Sequence, residues 1–247
     1  NSNIKHWEEA NPKFPYQEIS GYPNGIHRGY QALGLFKNQH DIDTSPVQTF
    51  GSVMPGDIKY RDVNGDGRID GDDRVPLSNG TMPTLVYGFG GEFRYKQFTL
   101  GVLFKGNGKT DFYHVGQYID GHGVTETNGM GYIPFHGGQT GNVLTMVNNP
   151  KNRWIPMDYA IEHGIDPSLA ENPNARFPRL YYGYNSNNSQ FSDFWKSDAR
   201  FLRLQEVTLN YNMKNKFLNN VGVASIDFQL VGNNLLLWDK VKTFDPE

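Results

Sequence analysis

Hydrophobic and polar residues alternate along four stretches of the chain, with the period of a β-strand that has one apolar face. Two of these stretches lie between residues 85 and 104 and are separated by Lys96-Gln97, which predicts a hairpin with a two-residue link. Two more follow at 201–211 and 225–232. We therefore predict that residues 85–104 and 200–237 form antiparallel strands in meander order.

The alternation also predicts which side chains share a face of each strand. The first hairpin has an apolar set that comprises Leu85, Tyr87, Phe89, Phe93, Tyr95, Phe98, Leu100, Val102 and Phe104. In the third stretch we expect one face to contain Phe201, Arg203, Gln205, Val207, Leu209 and Tyr211. The other face would contain Leu202, Leu204, Glu206, Thr208 and Asn210. One apolar and one polar face over about ten residues suits a barrel wall between lipid and water.

Composition narrows the possible classes of protein. The chain has 247 residues, no cysteine and a formal net charge of −3, so it predicts neither disulfides nor an electrostatic affinity for nucleic acid. It contains no apolar run of about 18 residues, so no transmembrane helix is expected. Its two ends have no features of a natural start or stop, and we expect a piece of a longer protein.

One segment has the spacing of a twelve-residue calcium loop, D-x-N-x-D-G-x-I-x-x-x-D, and lies within residues 55–76. Ca²⁺ takes about six to eight oxygen ligands, and a sharp turn at Gly67 would let side chains along the loop converge on one ion. Ile69 would point away and anchor the loop. The predicted ligands are Asp62, Asn64, Asp66, the backbone carbonyl of Arg68, Asp70 and Asp73.

Two features separate this loop from a helix-loop-helix calcium site. Asp73 replaces the usual bidentate Glu at position twelve, so weaker affinity or competition by Mg²⁺ is expected. The residues that follow include Pro76 and Gly80, which disfavour the second helix. The alternative is a turn rich in Asp, Asn and Gly that binds no ion.

The remaining sequence predicts shorter or less regular elements. Residues 106–184 are rich in Gly, Asn, His and Pro, which indicates a long loop region with a short helix at 157–163. We also expect a strand at 26–36, a helical turn near 41–46 and a turn at 215–222.

No pattern of catalytic residues is present, and the chain is predicted not to be an enzyme. His114, His122 and His136 do not have the spacing of a zinc site. Several aromatic residues could stack on sugar rings, but such residues more often pack loops or form the aromatic girdle of a barrel. They are Trp154, Tyr181, Tyr182, Tyr184 and Trp195.

The order of several segments resembles the SusC/RagA-type TonB-linked outer-membrane transporters. The similarity covers most of the chain from about Gly21 onward. It rests on the segments 55–70, 87–89, 194–195, 201–211, 232–236 and 244–247.

The resemblance implies that residues 1–247 are the C-terminal portion of an all-β transmembrane barrel of about 22 strands with long extracellular loops. Such a transporter lies in the outer membrane of Gram-negative bacteria, surrounded by outer-membrane lipid. It imports nutrients, usually oligosaccharides and in some cases peptides. Its implied partners are a SusD-like surface lipoprotein, which would meet the loops at 106–184, and TonB, which would act through an N-terminal part that this chain lacks.

A second class of protein remains open at this stage. A soluble, calcium-stiffened β-sandwich that acts as a glycan-binding or adhesion module would also have alternating strands and a calcium loop. In a sandwich the apolar faces pack against a second sheet, whereas in a barrel they face lipid.

Overall fold

The structure is a computed structural model that describes residues 4–5, 12–18, 20–23, 26–77, 83–114, 118–120, 123–125, 145–181 and 185–241. Strands predominate in these residues. In chain order they are β1 (Arg28–Gly29), β2 (Ala32–Leu35), β3 (Val47–Gln48), β4 (Ile58–Tyr60), β5 (Arg68–Ile69), β6 (Val75–Pro76), β7 (Leu85–Tyr95), β8 (Phe98–Gly108), β9 (Asp111–Tyr113), β10 (Tyr118–Asp120), β11 (Gly123–Thr125), β12 (Lys196–Asp198), β13 (Phe201–Met213) and β14 (Ile226–Asp239).

The helices are short. They are α1 (Gln39–Asp43), α2 (Thr145–Asn148), α3 (Met157–Glu162) and α4 (Lys216–Asn220), with 3-10 turns at Pro15–Gln17, Gly71–Asp73, Pro167–Leu169 and Asp193–Trp195. Within the described residues, no helix has the length and apolar character needed to cross a bilayer. The predicted helix at 157–163 is confirmed, and the predicted turn at 215–222 is instead built around α4.

The chain divides into two compact units. The sheet unit contains Asn79–Phe112 and Ser197–Glu247, and the loop unit contains Ser2–Ser78 and Tyr113–Lys196. The four long strands all belong to the sheet unit.

The sheet unit is a four-stranded antiparallel sheet in the order β14-β13-β8-β7. This confirms the strands predicted at 85–104 and 200–237 and their antiparallel pairing. The link between β7 and β8 is two residues long, and Lys96 adopts a φ of +53° there. A non-glycine residue in this left-handed region replaces the Gly or Asn that such a turn favours.

A β-bulge in β13 changes the faces that alternation predicted. Leu204 pairs with Phe104 and Glu206 pairs with Leu103, so Gln205 is an extra residue between consecutive partners on β8. The prediction that Phe201 and Arg203 share a face with Val207, Leu209 and Tyr211 is therefore wrong. Leu202 and Leu204 take their place on that face, because one inserted residue inverts the alternation beyond it.

The loop unit has small two-stranded pairings around an apolar core. β1 pairs with β6, β2 with β4 and β10 with β11 in antiparallel fashion, and β3 pairs with β5 in parallel. The single strand predicted at 26–36 is thus two short strands, β1 and β2. The buried core comprises Tyr30, Leu35, Ile58, Tyr60, Ile69, Val147, Trp154, Ala175, Phe177 and Trp195.

Candidate functional site

The calcium-type loop leaves the core after β4 and returns to it through β5. Gly65 and Gly67 have φ values of +76° and +83°, so both glycines make the sharp turn that the motif requires at this point. Ile69 is fully buried in the core of the loop unit, which confirms its predicted role as the anchor of the loop.

Asp62 and Asp66 hold the turn through backbone hydrogen bonds. Gly65 N and Gly67 N donate to the two carboxylate oxygens of Asp62 at 2.6 and 2.8 Å. Arg68 N donates to Asp66 Oδ1 at 2.9 Å, and Asn64 Nδ2 donates to Asp66 Oδ2 at 2.9 Å. These bonds set the loop conformation from within.

Asp73 closes the loop from its far end. Its side chain is fully buried and accepts hydrogen bonds from Val63 N at 2.7 Å and from Asp70 N at 2.9 Å. Asp70 in turn accepts from Asp72 N at 2.9 Å. The first and last thirds of the loop are therefore joined by a carboxylate at position twelve.

The ligand atoms of the loop suit a metal ion, but their arrangement in the structure does not form a metal site. All the predicted ligands offer oxygen, which suits Ca²⁺ or Mg²⁺. Within the part of the chain that the structure describes, however, no three His, Cys, Asp or Glu side chains converge as metal ligands. The carboxylates of Asp62, Asp66 and Asp73 instead accept hydrogen bonds from N–H groups of the loop.

A buried polar network supports the segment that leads into the loop. Asp57 is fully buried, and its Oδ1 lies 2.8 Å from Arg179 Nε and accepts from Asn188 Nδ2 at 2.8 Å and from Asn185 Nδ2 at 3.1 Å. Met54 N donates to Asp57 Oδ2 at 2.8 Å. Three of the four partners of this carboxylate, Arg179, Asn185 and Asn188, lie more than 100 residues away in the sequence.

Asn187 extends this network under β4. Its Nδ2 donates to Ile58 O at 2.9 Å, its Oδ1 accepts from Gln48 Nε2 at 2.6 Å, and its carbonyl accepts from Tyr60 OH at 2.9 Å. Sequence reasoning did not find this network. Its only signal was the cluster of asparagines at 185–188, which by itself is typical of a loop.

The aromatic candidates for ligand stacking divide by burial. Trp154 and Trp195 lie in the core, and Trp195 Nε1 donates to Asn188 O at 2.9 Å. These two rings are therefore packing residues. Tyr181 is exposed, with the Arg179 guanidinium 5.1 Å from its ring centre. Tyr182 and Tyr184 lie outside the described residues.

Of the three histidines considered for zinc, only His114 lies within the described residues. It is buried, and its backbone N–H donates to Trp195 O at 2.8 Å. Burial lowers the pKa of His114 to about 4, and the nearby positive charge of Arg176 acts in the same direction. His122 and His136 lie outside the described residues.

The sheet unit has an apolar face that continues across all four long strands. The register places Phe93, Leu100, Leu209 and Leu230 in one row across the sheet, and Phe93 and Leu230 are 67% and 70% exposed. This apolar face includes Leu85, Tyr87, Phe89, Phe93, Tyr95, Phe98, Leu100, Val102, Phe104, Leu202, Leu204, Val207, Leu209, Tyr211, Phe228, Leu230, Leu236 and Trp238.

Aromatic side chains concentrate toward both ends of the apolar face. At the end with the hairpin link, Tyr95, Phe98, Tyr211 and Phe228 pair in one row, and the rings of Phe98 and Tyr211 lie 4.7 Å apart. The stacked rings of Phe89 and Phe104 lie toward the other end, where Tyr87 and Trp238 also occur. The two rows between contain aliphatic residues and glycines, together with the aromatic ring of Phe93.

The opposite face of the sheet has a mixed, mainly polar character. Its apolar residues, Val86, Leu103, Phe201, Val231 and Leu237, lie among many more polar side chains. The polar residues on this face are Glu92, Arg94, Thr99, Lys105, Asn107, Arg203, Glu206, Thr208, Asn210, Asn212, Asp227, Gln229 and Asn233.

Long antiparallel strands with an exposed apolar face, aromatic rows near its edges and a polar reverse face are typical of outer-membrane β-proteins. Comparison with curated proteins agrees with this class. The chain is 29% identical over 229 residues to TonB-dependent receptor P26 of Formosa agariphila, covering 93% of the chain and 20% of the receptor. It is 23% identical to TonB-dependent receptor P3 of the same organism, covering 90% of the chain and 18% of that receptor.

Solved structures show the same fold. The RagAB peptide importer in its open-open state matches with a TM-score of 0.58 and 18% identity, covering 92% of this chain and 20% of that chain. Its closed-closed state matches with a TM-score of 0.55 and 18% identity, covering 93% of this chain and 21% of that chain. No protein-family model matches the chain.

The resemblance to a SusC/RagA-type TonB-dependent transporter is therefore confirmed. The chain spans about a fifth of the length of the curated relatives it matches. The names of these proteins describe receptors and importers rather than enzymes.

Proposed function

We propose that this chain forms part of the barrel wall of an outer-membrane transporter that takes up nutrients with energy from TonB. The exposed apolar face is the observation that carries the proposal. Burying such a face in lipid removes the penalty of exposing apolar area to water, about 25 cal/mol per Å². The similarity to TonB-dependent receptors and to the RagAB importer supports this interpretation over a soluble β-sandwich.

The height of the apolar face supports a membrane location. Its outermost aromatic residues on β7 are Tyr87 and Tyr95, which are eight residues apart. At about 3.4 Å per residue and a tilt of about 40°, this distance corresponds to roughly 21 Å along the membrane normal. Outer-membrane barrels have an apolar band about 25 Å tall between aromatic girdles.

The sheet edges support continuation of the wall beyond this chain. Within the described residues, β7 pairs only with β8 and β14 only with β13. An open edge would leave backbone N–H and C=O groups unpaired in lipid, which is costly. We propose that further strands of a longer protein pair with both edges, in a barrel of about 22 strands.

The transported compound is proposed as a nutrient of the oligosaccharide or peptide class. Peptide import is the activity that the name of the RagAB neighbour gives. A SusD-like lipoprotein would meet the loop region at 106–184 on the outer side, and TonB would act through a part of the protein outside this chain. The loop unit, which contains most of that region, has the buried polar network that such a docking platform needs to keep its shape.

We further propose that the loop at 62–73 binds Ca²⁺ in a structural role. Its spacing, its positive-φ glycines and its all-oxygen donor set support the proposal. Asp62, Asn64, Asp66, the Arg68 carbonyl, Asp70 and Asp73 would hold the ion. Binding would require the carboxylates to exchange some of their N–H donors for the cation.

Labelling at single cysteines tests the membrane proposal, since the chain has no cysteine of its own. The complete protein that contains this chain, without other cysteines, would carry Leu100→Cys or Thr99→Cys, which are adjacent and lie on opposite faces. In phospholipid vesicles, a spin label at position 100 should be accessible to oxygen and shielded from a water-soluble nickel complex, and the label at position 99 should not show this lipid pattern. Equal accessibility to the nickel complex at both positions would refute the barrel wall.

A further inference from the structure

The connection between β13 and β14 presents apolar side chains at the surface. α4 begins there after Asn215, and Phe217, Val221 and Val223 are 71%, 59% and 38% exposed. Leu218, on the same short helix, is buried. Phe217 and Val221 are four residues apart, so they lie on the same side of the helical turn.

Local interactions fix this connection in one conformation. Asn215 Oδ1 accepts from Leu218 N at 2.9 Å, which caps the start of α4. At its end, Val223 N donates to Leu218 O at 2.9 Å and Gly222 N donates to Asn219 O at 3.1 Å, while Gly222 has a φ of +79°. This pair of bonds is a Schellman motif, so the exposed apolar residues have a defined orientation despite the shortness of the helix.

The connection lies at the end of the sheet that bears an aromatic row of the apolar face. Asn212 N donates to Gln97 O at 2.9 Å, which places the α4 connection beside the β7–β8 link. Tyr211 and Phe228 flank the connection and belong to the aromatic row. The exposed residues of α4 therefore lie at the same end of the sheet as this aromatic row.

The charge of the connection is uniformly positive. Residues 214–225 contain Lys214 and Lys216, both exposed, and no acidic residue. Lys96 of the neighbouring link adds a third ammonium group at the same end, 5.3 Å from the ring centre of Tyr95. Apolar residues flanked by lysines, next to an aromatic row, are typical of segments at the boundary between acyl chains and phosphate headgroups.

We propose that residues 214–225 form an interfacial foot that docks on a phospholipid leaflet. Phe217, Val221 and Val223 enter the boundary between headgroups and acyl chains, and Lys214 and Lys216 lie at the level of the phosphates. Short hairpin links of outer-membrane barrels face the periplasm, so the foot contacts the periplasmic leaflet. This inference rests on the proposed barrel wall and adds a membrane contact outside the strands.

Spin labels on the complete protein in phosphatidylethanolamine–phosphatidylglycerol vesicles test the foot. The variants are Phe217→Cys, its matched control Asn219→Cys two residues along the same helix, and Leu230→Cys as a reference on the apolar face. The label at 230 should show the highest ratio of oxygen to nickel-complex accessibility. The label at 217 should show a ratio at least threefold above that at 219.

Each other outcome has a distinct meaning. If position 230 faces lipid and position 217 is as accessible to the nickel complex as position 219, the foot is wrong and the barrel wall stands. If the label at 217 is shielded from both reagents, protein covers it, and the lipid contact is refuted. If position 230 itself faces water, the barrel wall fails and the foot fails with it.

Discussion

Asp57 and Arg179 form a buried ion pair across 122 residues of sequence, with Arg179 Nε 2.8 Å from Asp57 Oδ1 and Arg179 Nη2 donating to Oδ2 at 3.1 Å. The carboxylate is fully buried and the guanidinium largely so. Because the pair joins the segment before the calcium-type loop to the distant chain at 179–188, it holds together two parts of the loop unit.

Removal of Arg179 should destabilise the loop unit strongly. Arg179→Ala leaves the Asp57 carboxylate buried without its cation, which typically costs about 3–5 kcal/mol. Thermal unfolding of the complete protein in detergent measures the effect. Lys59→Ala is the matched control, because it breaks the more exposed Lys59–Asp41 pair at 2.7 Å and should cost at most about 1 kcal/mol. Equal losses in the two variants would contradict the prediction.

Gly56 and Gly65 provide a paired test of backbone strain and packing. Both have positive φ values, +86° and +76°, but a Cβ on Gly56 would lie 2.4 Å from buried Trp154 ring atoms, whereas a Cβ on Gly65 would meet nothing within 4 Å. Gly65→Ala should cost about 1–2 kcal/mol. Gly56→Ala adds overpacking and should cost about 2–5 kcal/mol in total. Chemical denaturation measures the loss of unfolding free energy in both variants. A larger loss in Gly65→Ala than in Gly56→Ala would contradict the prediction.

Alternation of apolar residues predicted the four long strands because β7, β8, β13 and β14 each place apolar side chains on one face of the sheet and mainly polar ones on the other. It failed within β13, where the bulge at Gln205 leaves no trace in a pattern of period two. Arg203 shows the consequence, since it lies on the opposite side of the sheet from Val207. The guanidinium of Arg203 lies 5.5 Å from the ring centre of Phe201, its neighbour on that side.

The loop at 62–73 was predictable because its ligand spacing and glycines are local in sequence. The network around Asp57 was not, because its partners Arg179, Asn185 and Asn188 become neighbours only through the fold. Trp154 and Trp195 show the same limit. Tryptophan is a residue type that can stack on ligands, and only the tertiary structure shows that both rings lie in the core.

His114 should make the loop unit less stable in mild acid. Burial lowers the pKa of His114 to about 4 from an unfolded value of 6.5, so the unfolded state binds more protons between these values. The contribution of His114 to stability is therefore complete above pH 6.5 and is lost progressively as the pH falls toward 4. His114→Gln, which cannot titrate, should flatten the dependence of the unfolding midpoint on pH in this window. If the unfolding midpoint of His114→Gln depends on pH as steeply as that of the unchanged protein, other groups cause the pH dependence.

Calcium binding by the loop is testable through one carboxylate and one neighbouring control. Asp66→Ala removes a charged oxygen at position five, and no adjacent side chain can supply a replacement, so Ca²⁺ uptake by the complete protein should be lost. Arg68→Ala keeps the backbone carbonyl at position seven and removes only a side chain that the ion does not need, so its uptake should be unchanged or slightly stronger. Isothermal titration calorimetry on apo protein measures both. If the heat of Ca²⁺ binding persists in Asp66→Ala, this loop is not the calcium site. The carboxylates of Asp62 and Asp66 would then only accept hydrogen bonds from the backbone N–H groups of Gly65, Gly67 and Arg68.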